Sequence, residues 1–125
     1  MEKYEVIKFK DDEFEMDVNV SPNEETVWLT QNEISQLFDT TKQNVSLHIN
    51  KAFKEKEFDK KSVVKDFFTT ASDGKLYKTK HYNLDVIISV GYRVKSKRVS
   101  ALVYKLIIFS NSLVYISKVL ANILF

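Results

Sequence analysis

The 125-residue sequence contains no cysteine, one proline and two glycines. Without cysteine the chain forms no disulfide, no thiolate metal site and no cysteine nucleophile, which fits a reducing cytoplasm. The scarcity of glycine and proline argues against a linker-like or low-complexity chain. Residues 1–10 carry charges throughout and lack an apolar stretch, so we expect no signal peptide. The composition predicts a cytoplasmic protein with one compact domain.

Sequence signatures of catalysis are also missing. The chain has no phosphate-cradling glycine loop, no G-x-S-x-G and no H-E-x-x-H motif. Its two histidines, His48 and His81, are far apart, and a zinc site needs at least three ligands. The acidic stretch 11–15 is more typical of a solvated turn than of a metal cluster. We therefore expect a protein that is not an enzyme and that uses no metal and no cofactor.

The formal net charge of +2 hides a strong asymmetry along the chain. Residues 1–39 hold 3 basic and 11 acidic side chains, whereas residues 40–100 hold 14 basic and 6 acidic ones. A basic segment of this size is typical of a protein with a polyanion partner. It is equally typical of a lysine-rich solvated surface whose charge the acidic N-terminal part offsets, and charge alone leaves both interpretations open.

The N-terminal part alternates apolar and polar residues. Tyr4–Lys10 and Phe14–Val20 follow this pattern, which predicts two short strands joined by a hairpin turn at Asp11 and Asp12. A further short strand is expected at Val27–Leu29, leading directly into a helix.

Two helices are predicted next. Thr30 and Glu33 have the spacing of a capping box, and the residues that follow place an apolar face on one side of a helix. Asp39 to Thr41 interrupts the pattern, and a second helix follows with its own apolar face. The residues of the two faces are Ile34, Leu37 and Phe38, then Val45, Ile49, Ala52 and Phe53. Residues 31–51 therefore predict a helix-turn-helix.

The outward side of the second helix has chemistry suited to DNA. Gln43 and Asn44 are able to pair with an adenine edge in the major groove. Other polar side chains at the start of the helix suit phosphates, which the helix dipole also attracts. The full predicted set on this helix is Thr41, Lys42, Gln43, Asn44, Ser46, Leu47, Asn50 and Lys51. Asp39 departs from the motif, because that turn position has positive φ and is commonly glycine.

A second hairpin is predicted at residues 63–82. Asp73-Gly74 indicates a type I′ turn, in which both central residues have positive φ. The order helix, helix, hairpin is that of a winged helix, in which Lys75, Lys78 and Lys80 would contact the DNA backbone. The same lysines also suit an exposed hairpin that lysine keeps soluble. Asn83 is expected to cap a third, strongly apolar helix.

The last segment, 101–125, is mostly apolar and contains only two lysines. Its longest uncharged stretch is shorter than the roughly 20 apolar residues of a membrane span. We therefore expect a buried helix or strand pair, and no membrane partner.

Four stretches of the chain resemble the RhuM family of bacterial virulence proteins: residues 27–38, 44–49, 70–75 and 81–98. The last of these is long and specific, and the resemblance covers roughly residues 4–98. The chain is also distantly similar to the Bro-N and KilA-N domains of phage and virus proteins. The resemblance implies a DNA-binding N-terminal module and brings no catalytic residues with it.

The resemblance stops after Arg98. The family continues with a glycine and a Phe-Arg-x-Trp-like helix, whereas here Val99 and an apolar sequence follow. We therefore expect a RhuM-like DNA-binding domain at 1–98 and an apolar tail at 99–125 from a truncated or frameshifted copy.

Together these patterns predict an α+β, winged-helix-like domain with an N-terminal β-hairpin, a helix-turn-helix and a β-hairpin wing. We expect a DNA-binding transcriptional regulator of a mobile or horizontally acquired element that inserts the helix at 41–54 into the major groove of double-stranded DNA. A palindromic DNA site would call for a homodimer, for which the sequence shows no interface. The alternative is a protein–protein interaction module of a toxin or virulence-associated system.

Overall fold

A computed structural model describes residues 5–21, 26–55 and 58–102 and shows a mixed α+β fold. Its elements are β1 (Glu5–Asp11), β2 (Phe14–Ser21), β3 (Thr26–Thr30), α1 (Gln31–Leu37), α2 (Lys42–Lys54), α3 (Lys60–Val63), β4 (Val64–Thr70), β5 (Leu76–Tyr82) and α4 (Leu84–Arg93). The five strands form one antiparallel sheet in the order β1-β2-β3-β5-β4. The expected α+β class is confirmed.

The N-terminal hairpin, made of β1 and β2, forms as the alternating pattern predicts. Phe9 pairs with Met16, and the alternate residues Val18 and Val20 are buried in the core. Asp11 still pairs with Phe14, so the turn lies at residues 12–13, one position later than expected. Residue 12 has φ +55°, a conformation that aspartate tolerates better than most residues.

Both expected helix starts are confirmed. Thr30 Oγ1 accepts a hydrogen bond from the Glu33 N–H, and the Glu33 carboxylate accepts one from the Thr30 N–H. These two bonds satisfy N–H groups that the first turn of α1 cannot pair internally. Thr41 Oγ1 caps α2 in a similar way by accepting from the Asn44 N–H. Between the helices Asp39 has φ +51°, the left-handed conformation expected for the turn.

The second hairpin, made of β4, β5 and the loop between them, is also confirmed, but its turn differs from the expected type. Only Gly74 has positive φ, +81°, whereas a type I′ turn requires it at Asp73 too. The Gly74 N–H donates to Ala71 O, and the Ala71 N–H donates to Lys75 O. The loop therefore has three residues, 72–74, and ends in one left-handed residue, the usual arrangement for that length.

The core lies between the sheet and the helices. Helix α4 is apolar on most sides and buries five large side chains, as expected for a helix enclosed by protein. They are Leu84, Val86, Ile87, Ile88 and Val90. Asn83 caps this helix, as predicted, and the buried Thr26 Oγ1 of β3 accepts a hydrogen bond from the Leu84 N–H at 3.0 Å.

The core continues past the boundary expected at residue 98. Residues 98–102 are helical, and Val99 and Leu102 are buried in the main cluster. Arg98 donates to Leu37 O at 2.9 Å, and its guanidinium lies 4.0 Å from the Phe14 ring centre, so it joins the end of α1 to the N-terminal hairpin. The predictions for the rest of the tail concern residues 103–125, which lie outside the described residues. No helix in the described part of the chain has the length and apolar character needed to cross a membrane.

Candidate nucleic-acid interface

Helix α2 has a buried side and an exposed polar side. Val45, Ile49 and Ala52 are buried, at the spacing of one face of a helix. Their burial turns the opposite side of the helix to solvent. We define the α2 outer face as Lys42, Gln43, Ser46, Leu47, Asn50 and Lys51, of which Ser46 is half-buried and the others are exposed.

A shallow depression lies at the start of the α2 outer face. Gln31 at the first position of α1 donates from Nε2 to Lys42 O at 2.8 Å, which fixes the start of α2 against the start of α1. The depression beside this bond is lined by Gln31, Lys42, Gln43, Ser46, Leu47 and Asn50. Gln31 is not predictable as a site residue from the sequence pattern, because it lies on the first helix and its contact with Lys42 O depends on the angle between the two helices.

The first turn of α2 uses two of the predicted site residues internally. Thr41 Oγ1 accepts the hydrogen bond that caps the helix. Asn44 is half-buried, and its Nδ2 donates to Thr40 Oγ1 at 2.8 Å. The structure therefore holds the Asn44 amide against the turn, whereas the neighbouring Gln43 extends into solvent. Of the two amides predicted to face a base, Gln43 is the better placed.

Seven lysines lie on α2 and the second hairpin, and all of them except the half-buried Lys65 are exposed. The six exposed ones are Lys42, Lys51, Lys54, Lys75, Lys78 and Lys80. Within the described ranges, none of these lysines lies within 4.0 Å of a carboxylate oxygen. Their charge is therefore available to a polyanion.

The acidic N-terminal hairpin, made of β1 and β2, lies away from the second hairpin in the sheet. The N-terminal hairpin forms one edge of the sheet and β4 the other. Glu15 forms its ion pairs within its own hairpin, with Lys8 at 3.8 Å and Lys10 at 3.0 Å. The acidic side chains of this hairpin and the lysines of the second hairpin are therefore separated along the sheet, with β3 between the two hairpins.

One face of the second hairpin combines lysines with exposed apolar side chains. Phe68 pairs with Lys78, Asp66 with Lys80 and Thr70 with Leu76, so these residues share a face. Phe68 is 72% exposed and Leu76 is 67% exposed. The sequence pattern indicates only the lysines, because alternation alone does not tell which face of a hairpin lacks a neighbour.

The opposite face of this hairpin is aromatic and partly buried. The Phe67 ring contacts the rings of His81, at 4.6 Å between centres, and Trp28, at 6.2 Å. His81 is buried and its Nδ1 lies 3.0 Å from Thr79 O. His48 is half-buried on α2. In the part of the chain that the structure describes, no three His, Asp or Glu side chains group into a metal site.

Two ionisable contacts fix the ends of these elements. Glu55, which caps the end of α2, accepts a hydrogen bond from Arg93 of α4 at 2.9 Å, and that guanidinium lowers the pKa of the Glu55 carboxyl. At the hairpin loop the Asp73 carboxylate accepts from the Tyr77 hydroxyl at 2.6 Å and from the Lys75 N–H at 2.9 Å. These bonds lower the pKa of Asp73, with the Tyr77 hydrogen bond the larger cause, and raise that of Tyr77.

Comparison with known proteins supports the resemblance over one part of the chain. The model of the family described as Virulence protein RhuM family matches residues 62–104, and this confirms the expected likeness there. The matched segment contains the second hairpin, α4 and the buried residues Val99 and Leu102, whereas α2 lies before it. No curated protein and no solved structure matches the chain.

Proposed function

From this match to the RhuM family model over residues 62–104, and from the separate geometry of α2, we propose that the chain binds double-stranded DNA. It acts as a transcriptional regulator of a mobile or horizontally acquired element, in a binding role without catalysis. The observation that carries the proposal is the α2 outer face: a polar, exposed side of a helix whose other side is buried. An α-helix with such a side fits the major groove.

The relation between α1 and α2 supports a helix-turn-helix. Helix α1 ends at Leu37, the chain turns through Asp39 with φ +51°, and α2 begins at Lys42. The buried sides of both helices belong to the same core cluster, with Ile34 from α1 and Val45 from α2. In helix-turn-helix proteins the second helix enters the groove and its N-terminal residues contact the bases. In α2 these are Lys42, Gln43 and Ser46.

The strands around the two helices support a winged-helix arrangement. Strand β3 precedes α1 directly, and it pairs with β5, which in turn pairs with β4. The second hairpin thus extends from the same sheet that leads into the helix pair, as a wing would. Its lysines, Lys75, Lys78 and Lys80, would neutralise backbone phosphates beside the groove that α2 occupies.

The test is selection of a bound sequence from random duplexes, followed by measurement of the dissociation constants for the selected duplex and a scrambled one. Q43A with N50A should reduce the preference for the selected duplex, because base-edge contacts specify sequence. A good bidentate contact contributes about 1–3 kcal/mol, about 5- to 150-fold. K51A should weaken binding to both duplexes equally.

The matched control is Q36A, since Gln36 is an exposed glutamine on α1 outside the α2 outer face. It should leave both dissociation constants unchanged. Failure to select any sequence, together with no binding to random DNA at low salt, would overturn the proposal.

A second candidate function, a protein-interaction module, has its own observation. Phe68 and Leu76 are large apolar side chains exposed together on one face of the second hairpin. Exposed apolar groups that cluster in this way mark interaction sites. In that case binding to the partner would respond to F68A and L76A and would depend only weakly on salt, unlike binding to DNA.

A further inference from the structure

Leu47 is an apolar residue in a polar surface. It is 54% exposed, and it is the one large hydrophobic side chain of α2 with high exposure. The neighbours that share its side of the helix are Gln43 one turn before it and Asn50 and Lys51 one turn after it, all exposed. Solubility alone would favour a polar residue at this position.

Leu47 lies close to the side chains that we propose contact the bases. It lies next to the half-buried Ser46 and lines the same depression as Gln43 and Asn50. Leu47 lies between Gln43 and Asn50, so it faces the base edges when the amides of these two residues do. The only methyl group that the four standard bases present in the major groove is the C5 methyl of thymine.

We propose that Leu47 contacts a thymine C5 methyl, so that the preferred DNA site contains a thymine at the centre of the α2 contact. This inference rests on the proposed function, and it assigns one base type to one residue. Gln43 and Asn50 then hydrogen-bond the base edges on either side. Leu47 contributes specificity by removing the thymine methyl group from water. The other three bases have no methyl group for Leu47 to contact.

The isolated position of Leu47 favours a DNA methyl group over a protein partner. Protein interfaces bury a contiguous apolar centre with a polar rim. Leu47 has no exposed apolar neighbour on α2, whereas Phe68 and Leu76 occur together on the second hairpin. One leucine among amides and lysines suits a duplex, whose groove offers single methyl groups between hydrogen-bonding edges.

The experiment replaces each thymine of the selected duplex in turn by deoxyuridine, which lacks only the C5 methyl group. With the wild-type protein, one position per bound helix should show binding weaker by about fourfold, since a buried methyl group contributes about 0.8 kcal/mol. With L47A this difference should disappear at that position. With L76A, a matched control at another exposed leucine, on the second hairpin, the difference should remain.

The outcomes separate this inference from the proposed function. If no duplex binds, the proposed function itself fails. If the duplex binds but every deoxyuridine substitution is neutral, or if L47A keeps the wild-type sensitivity, the DNA proposal stands and the role of Leu47 is refuted. A shift of L47A to a smaller oligomer without a change in thymine dependence would also refute it, because Leu47 would then serve self-association.

Discussion

Gly91 lies where α4 passes closest to Phe38 and Val99. A Cβ atom at residue 91 would lie 2.8 Å from Phe38 Cζ and would also clash with Val99 Cγ2. Both neighbours are buried, and the β-branched Val99 is restricted in its rotamers. The absence of a side chain therefore permits the approach of α4 to the end of α1 and to the segment after Arg98.

G91A should lower the free energy of unfolding. Overpacking a core costs about 1–3 kcal/mol, and the preference of alanine for helices offsets about 1 kcal/mol of this. We expect a net destabilisation of about 1 kcal/mol in urea denaturation. Q36A on the exposed side of α1 is the control and should change little. A stabilised G91A protein would show that the close approach is absent.

Asn44 shows where residue chemistry alone is insufficient. The side-chain amides of Asn44 and Gln43 are equally able to pair with an adenine edge, so the sequence alone does not distinguish the two residues. The structure bonds Asn44 Nδ2 to Thr40 Oγ1, a contact within the turn that stabilises the start of α2. The residue type predicts which groups a side chain is able to bind, and the packing around that side chain decides which groups it contacts.

At the scale of the elements, the turn between α1 and α2 depends on Asp39. A left-handed conformation costs most residues about 1–2 kcal/mol and costs glycine almost nothing. D39G should therefore raise the free energy of unfolding by up to about 1 kcal/mol, and D39V should lower it by about 1–2 kcal/mol.

The control for this turn is D66G in β4, where φ is not positive. There glycine relieves no strain, and it should destabilise the strand. Chemical denaturation of the three variants measures the differences. Equal effects of glycine at residues 39 and 66 would contradict the account of the turn.

The elements predicted from sequence are those that local chemistry determines. Thr30, Thr41 and Asn83 cap three helices, and each cap depends on residues within four positions. The prediction of a type I′ turn at Asp73 was wrong. Two-residue and three-residue loops both use the Asp-Gly dipeptide, and they differ only in the residue at which each strand ends. The pairing of β3 with β5 was not predicted, since the residues it joins are far apart in sequence.

At the scale of the whole molecule, charge is separated along the sheet. The acidic N-terminal hairpin forms one edge, and the second hairpin with its exposed lysines forms the other. The sequence predicted the asymmetry but not its direction in space, because a compact fold is able to bring the two regions together or keep them apart. The order β1-β2-β3-β5-β4 keeps them apart.

If the second hairpin acts as a wing, its lysines contribute to the salt dependence of DNA binding. Each phosphate contact adds about 0.9 to the slope of log K against log salt concentration. Replacing Lys75, Lys78 and Lys80 together by alanine should reduce the magnitude of this slope by about 2–3. The same change at Lys8 and Lys10, on the opposite edge of the sheet, is the control and should leave the slope unchanged. Equal slopes for wild type and the triple variant would exclude the wing role.

Entry of α2 into a DNA groove is tested by the change in backbone amide NMR shifts when the selected duplex is added to the ¹⁵N-labelled chain. If α2 enters the groove, the largest changes occur in Lys42–Lys54, smaller changes in Leu76–Tyr82, and almost none in Glu5–Asp11. Large changes confined to the N-terminal hairpin, with α2 unaffected at saturating DNA, would refute DNA binding through α2.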